Sequence, residues 1–235
     1  MRTLRISFLV LSVVVGAAAQ CSLGSSKGLK TRLDTVRVSR LTLKNQTLSS
    51  GLSRLASDWK IRISMEGLPS GKNSPSPRSI SASFEGGTLL DAINWLVAQD
   101  PAYAWSADGD IVNVVPLRPP TPYLLGRVVP RAEIKSARNV AEVLSQIHAT
   151  EGSETVAILS GNGMTFAEPI SRTYLNCTVR ELLNRTVQAL GPTHGWSSGS
   201  YQTYYFLQIF SKPLPPDPQR PVPQIELDRE GHPIR

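Results

Sequence analysis

The chain has 235 residues, 40% of them apolar and 18% charged, and a formal charge of +7 at neutral pH. That length fits one large domain or two small ones, and the charged fraction is too low for a disordered polyelectrolyte. Two cysteines and three scattered histidines make neither a disulfide framework nor metal-ligand spacing, so no metal and no cofactor is expected.

Arg2 and Arg5 precede the apolar run "ISFLVLSVVVGAAA", and Ala17 and Ala19 place small side chains ahead of Gln20. This is the pattern of a secretory signal over residues 1–19, with cleavage expected after Ala19. The run is too short to span a bilayer and no later segment is apolar enough. The mature chain is therefore expected in the periplasm or secreted, without a transmembrane helix. A lipid anchor at Cys21 is the lesser alternative, because Gln20 stands where lipoprotein signals place a small residue. An oxidising compartment also allows Cys21 to pair with Cys177; the alternative is burial of Cys177 as a small apolar residue.

Residues 20–35, rich in Ser, Gly and Lys, are expected as a flexible linker. Residues 36–117 follow as a first module. It opens with "VRVSRLTLKN", which alternates like a half-buried strand. A helix carries Leu48, Leu52, Leu55 and Trp59 on one face. "KIRISME" is a second strand, "PSGKNSPSPRS" a loop and "SISASF" a third strand. The helix "TLLDAINWLV" comes next, and "YAW", the turn "ADGD" and "IVNVVPL" close the module.

Prolines in "RPPTPY" break the chain, giving a linker over 118–124. The second module, 125–211, repeats the order. "LLGRVVPRAEI" is a strand, and Val140, Val143, Leu144 and Ile147 share a helix face. "ETVAILS" and "PISRTYLN" are strands around the turn "GNGM". The helix "TVRELLNRTVQAL" puts Val179, Leu182, Leu183, Val187 and Leu190 at helical spacing. "HGW" answers "YAW", "YQTYYFLQIF" answers "GDIVNVVPL", Ile170 and Tyr174 answer Ile80 and Phe84, and Trp196 answers Trp105. The expected fold is α+β, two tandem β-α-β-β-α-β-β modules. The tail 212–235, with its many prolines, is expected to be extended.

The repeated unit resembles the short N-terminal domain of secretins and TonB-dependent receptors. The residues that carry this are "LTLKNQTLSSGLSRLASDWKIRISME", "RSISASFEGGTLLDAINWLV" and "YAWSADGDIVNVVPL", with "TVRELLNRTVQAL" the best part of a more diverged second copy. The resemblance implies two helices packed with small sheets. It also implies work by contact with other envelope proteins, such as secretion or TonB-system components, in transport or signalling. No secretin pore or receptor barrel follows the second copy, so the expected role is docking or scaffolding, without catalysis.

Thr88 and Thr178 begin the matching helices, with Asp91 and Glu181 three residues on, a capping-box pattern in which the acid serves the helix end. Trp95 lies off the apolar stripe of its helix, beside Asp91 and Asn94, and Arg185 takes its place in the second copy. Trp95, with Asp91 and Asn94, is therefore expected to anchor a partner or the second module; the alternative is a ring lying flat across neighbouring side chains. Two other readings are open. In one, Cys177, ahead of a helix N-terminus, is the nucleophile of a periplasmic thiol hydrolase with His148 or His194 as base. In the other, a glycan or small ligand binds between the modules. Between Lys27 and Arg62, nine basic residues stand against two acidic ones. Export removes nucleic acid as their partner, leaving an anionic envelope surface, an acidic protein, or solvent alone.

Overall fold

The computed structural model describes residues 19–20, 27–70, 77–119, 123–151, 156–160, 164–191, 194–201 and 204–210. Most of the expected signal peptide, Cys21 and the tail 212–235 lie outside the described residues. The fold is α+β.

In the first half, strand β3 (Leu41–Gln46) leads through the cap Thr47 into helix α2 (Leu48–Trp59), then β4 (Arg62–Ser70) and β5 (Ile80–Phe84). Helix α3 (Leu89–Ala98) and the hairpin β7 (Tyr103–Asp108) and β8 (Ile111–Pro116) complete it. In the second half, β9 (Val128–Asn139), α4 (Val140–Glu151), β10 (Val156–Ser160), β11 (Thr165–Thr178), α5 (Val179–Leu190), β12 (Gly195–Tyr201) and β13 (Tyr204–Phe210) follow in the same order.

The strand pairing repeats as well. β3 pairs antiparallel with β5, and β9 with β11; β4 pairs parallel with β8, and β10 with β13; each half ends in an antiparallel hairpin. Even the irregularity repeats. Asn45 (φ 52°) and Ser136 (φ 47°) each occupy a left-handed position inside a bulge of the first strand. Each sends its backbone N–H to a serine on the partner strand, Asn45 to Ser81 at 3.0 Å and Ser136 to Ser171 at 2.9 Å. A bulge removes a ladder bond, and the serine supplies the missing acceptor.

Two expectations are corrected. The linker expected over 20–35 contains helix α1 (Lys27–Thr35), in which Leu29 and Leu33, one turn apart, are buried in the first core. Two short strands, β2 (Arg37–Val38) and β6 (Gly87–Thr88), then extend the β3–β5 pairing in two pieces, where β9 and β11 run unbroken. In the linker expected over 118–124, Leu124 opens a single 3-10 turn (Leu124–Gly126) and is buried in the second core with Leu125.

The apolar side chains form two clusters, one in each half. The expected stripes are buried: Leu48, Leu52 and Leu55 on α2, Val140, Val143, Leu144 and Ile147 on α4, and Val179, Leu182, Leu183 and Val187 on α5. Trp59 and Leu190 are half-buried at the margins. Among the described residues only Ile111, from the first half, joins the second cluster. The halves meet along one seam instead. β12 pairs parallel with β4, giving a six-stranded sheet in the order β10-β13-β12-β4-β8-β7. A further short strand, β1 (Ala19–Gln20), lies parallel to Tyr174–Leu175 of β11.

Candidate functional site

The two matching helices show what their shared letters do. Thr88 and Thr178 accept the backbone N–H of Asp91 and Glu181 at 3.1 and 3.2 Å. The carboxylates of Asp91 and Glu181 accept the threonine N–H in return at 2.8 and 2.7 Å. Both helices therefore start in a full capping box. The Thr88 backbone and hydroxyl donors, with a smaller contribution from the Arg37 charge, hold the Asp91 carboxyl below its ordinary value. The asparagine at the seventh place anchors the tryptophan of the following hairpin. Trp105 Nε1 donates to Asn94 Oδ1 at 2.9 Å, and Trp196 Nε1 to Asn184 Oδ1 at 2.8 Å.

Of the residues expected to bind a partner, Asp91 and Asn94 are exposed but engaged, one in the cap and one with Trp105. Trp95 is half-buried, its ring centroid 5.7 Å from that of Phe84 and tilted against it. It leans on the margin of the first core rather than standing free in water. The three share the outer flank of α3.

Cys177 is fully buried and disulfide-bonded. A sulfur in that state is not a free thiolate. The chain's other cysteine, Cys21, lies outside the described residues, as does the side chain of His148. His194 is half-buried; desolvation, with the nearby Arg62 charge, lowers its pKa against a backbone hydrogen bond to Gly191 that raises it. Among the described residues no group of histidine, cysteine and carboxylate side chains is placed to hold a metal, and no helix is long and apolar enough to cross a membrane.

The richest polar constellation is the seam between the halves. β4 alternates: Ile61, Ile63 and Met65 turn to the first core, while Arg62, Ser64 and Glu66 lie on the opposite face. Helix α5 covers that face. Arg180 grips Glu66 with Nε on Oε1 and Nη2 on Oε2, the latter at 3.1 Å. Asn184 Nδ2 donates to Asp108 Oδ2 at 2.8 Å, and Arg185 Nη2 reaches Asp108 Oδ1 at 3.3 Å. Gln188 Nε2 donates to Asp110 Oδ1 at 2.8 Å, and Arg62 Nη1 holds Asp110 Oδ2 at 2.7 Å. Burial raises the Glu66 pKa, and the Arg180 hydrogen bond and charge only partly oppose it. Ion pairs and the β4–β12 pairing thus join the facing surfaces of the two halves.

Sequence reasoning missed Glu66, Asp108 and Arg180. The alternation of "RISME" marks Arg62, Ser64 and Glu66 as an outward face, and nothing local says that another helix covers it. The basic stretch is exposed at Lys27, Lys30, Arg37, Arg40, Lys44 and Lys60, whereas Arg62 is buried in the seam. Arg32 Nη2 donates to the Trp59 carbonyl at 2.7 Å, placing a cation at the C-terminal end of α2 where the helix dipole favours it. The chain matches no family model, no curated protein and no solved structure.

Proposed function

We propose that this is an exported, non-enzymatic protein of the bacterial envelope that docks or scaffolds other envelope proteins, beside a secretion or TonB-dependent uptake or signalling system. One observation carries the reading: the register, bulge, cap and Asn–Trp anchor of one small α+β unit all recur in the second half. A doubled unit whose polar side chains serve caps and a seam offers surfaces rather than a reaction cleft. The disulfide-bonded Cys177 supports an oxidising compartment. If Cys21 is its partner, the thiol that a lipid anchor would need is used, which favours a free periplasmic or secreted protein.

The test joins processing and contact. The mature chain is expected to begin at Gln20 and to appear in the osmotic-shock fraction. A photo-crosslinking residue at position 95 is expected to give a discrete adduct with another envelope protein, absent when the same residue replaces exposed Arg131. An unprocessed chain retained in the cytoplasm would overturn the reading.

A further inference from the structure

The seam joins unlike edges. In the order β10-β13-β12-β4-β8-β7, the trio β4-β8-β7 of the first half corresponds to β10-β13-β12 of the second. β12, the counterpart of β7, is paired with β4, the counterpart of β10. The contact is head to tail, and among the described residues β7 stands at one edge of the sheet and β10 at the other. A head-to-tail contact does not close on itself; it can repeat between molecules into a ring or a filament.

The helix that makes the contact has a twin, α3, that among the described residues makes no side-chain hydrogen bond or ion pair to the other half. By the pairing of Thr88 with Thr178, Arg180, Asn184, Arg185 and Gln188 on α5 correspond to Leu90, Asn94, Trp95 and Ala98 on α3. The first set is covered by the sheet of the first half, and Asn184 is fully buried. In the second set Asn94 and Ala98 are exposed and Leu90 and Trp95 half-exposed. The chemistry has changed with the partner: two arginines and a glutamine have become Leu, Trp and Ala.

The receiving strands have changed in the same sense. β4 presents Arg62, Ser64 and Glu66 to α5. In β10, "VAILS", the alternating sets are Val156 with Ile158 and Ala157 with Leu159. In β13, "YYFLQIF", each alternating set holds at least three apolar or aromatic residues. In sequence, both alternating sets of β10 and of β13 are thus mainly apolar, where β4 alternates Arg62, Ser64 and Glu66 with apolar residues. Within the chain a polar helix face sits on a polar sheet face; among the described residues the flank of α3 with Leu90 and Trp95 has no such cover, and the strands that correspond to the receiving ones are apolar in sequence.

We infer that copies of this chain associate head to tail, the α3–β7 end of one copy seated on the β10–β13 end of the next. The contact repeats the internal seam with apolar side chains in place of the ion pairs. This deepens the docking reading by naming a second copy of the chain as an occupant of the α3 flank.

The test uses the purified full chain with no other protein present. Sedimentation velocity is expected to show mass rising with concentration over about 1 to 100 µM, the range of weak apolar contacts. Trp95→Arg and Leu90→Arg, which install the residue types of the second half, are expected to weaken association by about tenfold or more. Ala98→Glu, at an exposed position, should act in the same direction and keeps the test open if the other variants unfold. A photo-crosslinking residue at position 98 should give adducts mapping to residues 156–160 or 204–210 of another copy. Adducts with α3 of the other copy would mean a two-fold dimer and overturn the inference, as would a monomer throughout or association indifferent to all three substitutions. If the purified chain stays monomeric while position 95 still captures another envelope protein, this inference fails and the docking reading stands.

Discussion

Asn184 accepts the indole N–H of Trp196 at 2.8 Å and gives its own amide hydrogen to Asp108 at 2.8 Å. All three residues are buried, with Asn184 and Trp196 fully so. The twin pair, Asn94 and Trp105, has the same hydrogen bond at 2.9 Å but faces solvent. The difference is the cover: the first half lies over Asn184, whereas Asn94 is exposed among the described residues. Asn184→Ala should therefore strand the Trp196 donor and one Asp108 acceptor in a dry site, costing about 3 kcal/mol. Asn94→Ala, where water can replace the lost acceptor, should cost about 1 kcal/mol or less. Urea unfolding of both variants checks this, and equal losses would contradict the assignment of cover.

Two carboxylates make the pH dependence of stability run in opposite directions. Asp91 has a folded pKa below its unfolded value because of the Thr88 donors. Its contribution is present above the ordinary aspartate range and is lost as pH falls through the depressed folded value. Glu66 has a folded pKa above its unfolded value because burial outweighs Arg180. Its neutral form is favoured, so stability present below the ordinary glutamate range is lost as pH rises through the raised value. Denaturation of wild type, Asp91→Asn and Glu66→Gln across the acid range should show it. The advantage of wild type over Asp91→Asn should shrink on acidification, and its standing against Glu66→Gln should worsen as pH rises.

The repeat was legible because it is written in apolar spacing and in the letters of caps. Thr88, Asp91, Thr178 and Glu181 form the boxes that their positions imply, and Leu48, Leu52 and Leu55 lie where a helical stripe puts them. Helix α1 was masked by a Gly- and Ser-rich approach; only Leu29 and Leu33, a single turn apart, announce it. The seam was not legible at all. Pairing of β4 with β12 joins residues such as Met65 and Ser197, far apart in sequence, through backbone groups that carry no residue signature. Glu66 and Arg180 look like ordinary surface charges until the two strands and α5 are brought together. The contact of Trp95 with Phe84 could not be read from helical spacing, because Phe84 belongs to a strand and not to the helix of Trp95.

The bonded state of Cys177 is directly testable. Iodoacetamide added to the folded, unreduced protein should leave Cys177 unmodified, and intact mass should show the oxidised form. Cys177→Ser should lower stability by about 2 to 4 kcal/mol, the usual loss on removing a disulfide, while docking persists. A thiol alkylated at neutral pH before reduction would contradict the bonded state.

Trp95 and Trp105 separate packing from recognition. Both are half-buried on the first core, and each has one defined neighbour, Phe84 for Trp95 and Asn94 for Trp105. Each alanine substitution should cost about 1 to 3 kcal/mol, less than for a fully buried tryptophan. Trp95→Phe should recover part of the loss against Phe84 yet still weaken adduct formation from the α3 flank. Full recovery of both by phenylalanine would reduce Trp95 to a packing residue.

The division into two cores makes the last prediction the most demanding. Val112 and Val114 belong to the first cluster, and only Ile111 reaches into the second. Residues 27–119 and 123–210, produced separately, should therefore each unfold cooperatively, since Ile111 is the one described core residue that crosses from one half to the other. They should not be equally stable. The first fragment uncovers Arg62, Ser64 and Glu66, a face that water can solvate, and sheds the penalty of burying Glu66. The second uncovers Asn184 and Trp196, loses the Asp108 partner of both Asn184 and Arg185, and frees the β12 edge. It also lacks Cys21, so any disulfide that Cys177 makes with it is lost. The second fragment should melt well below the first, and its melting temperature should rise progressively as the first fragment is added. If the second fragment were the more stable, or indifferent to the first, the seam would not hold the halves as described.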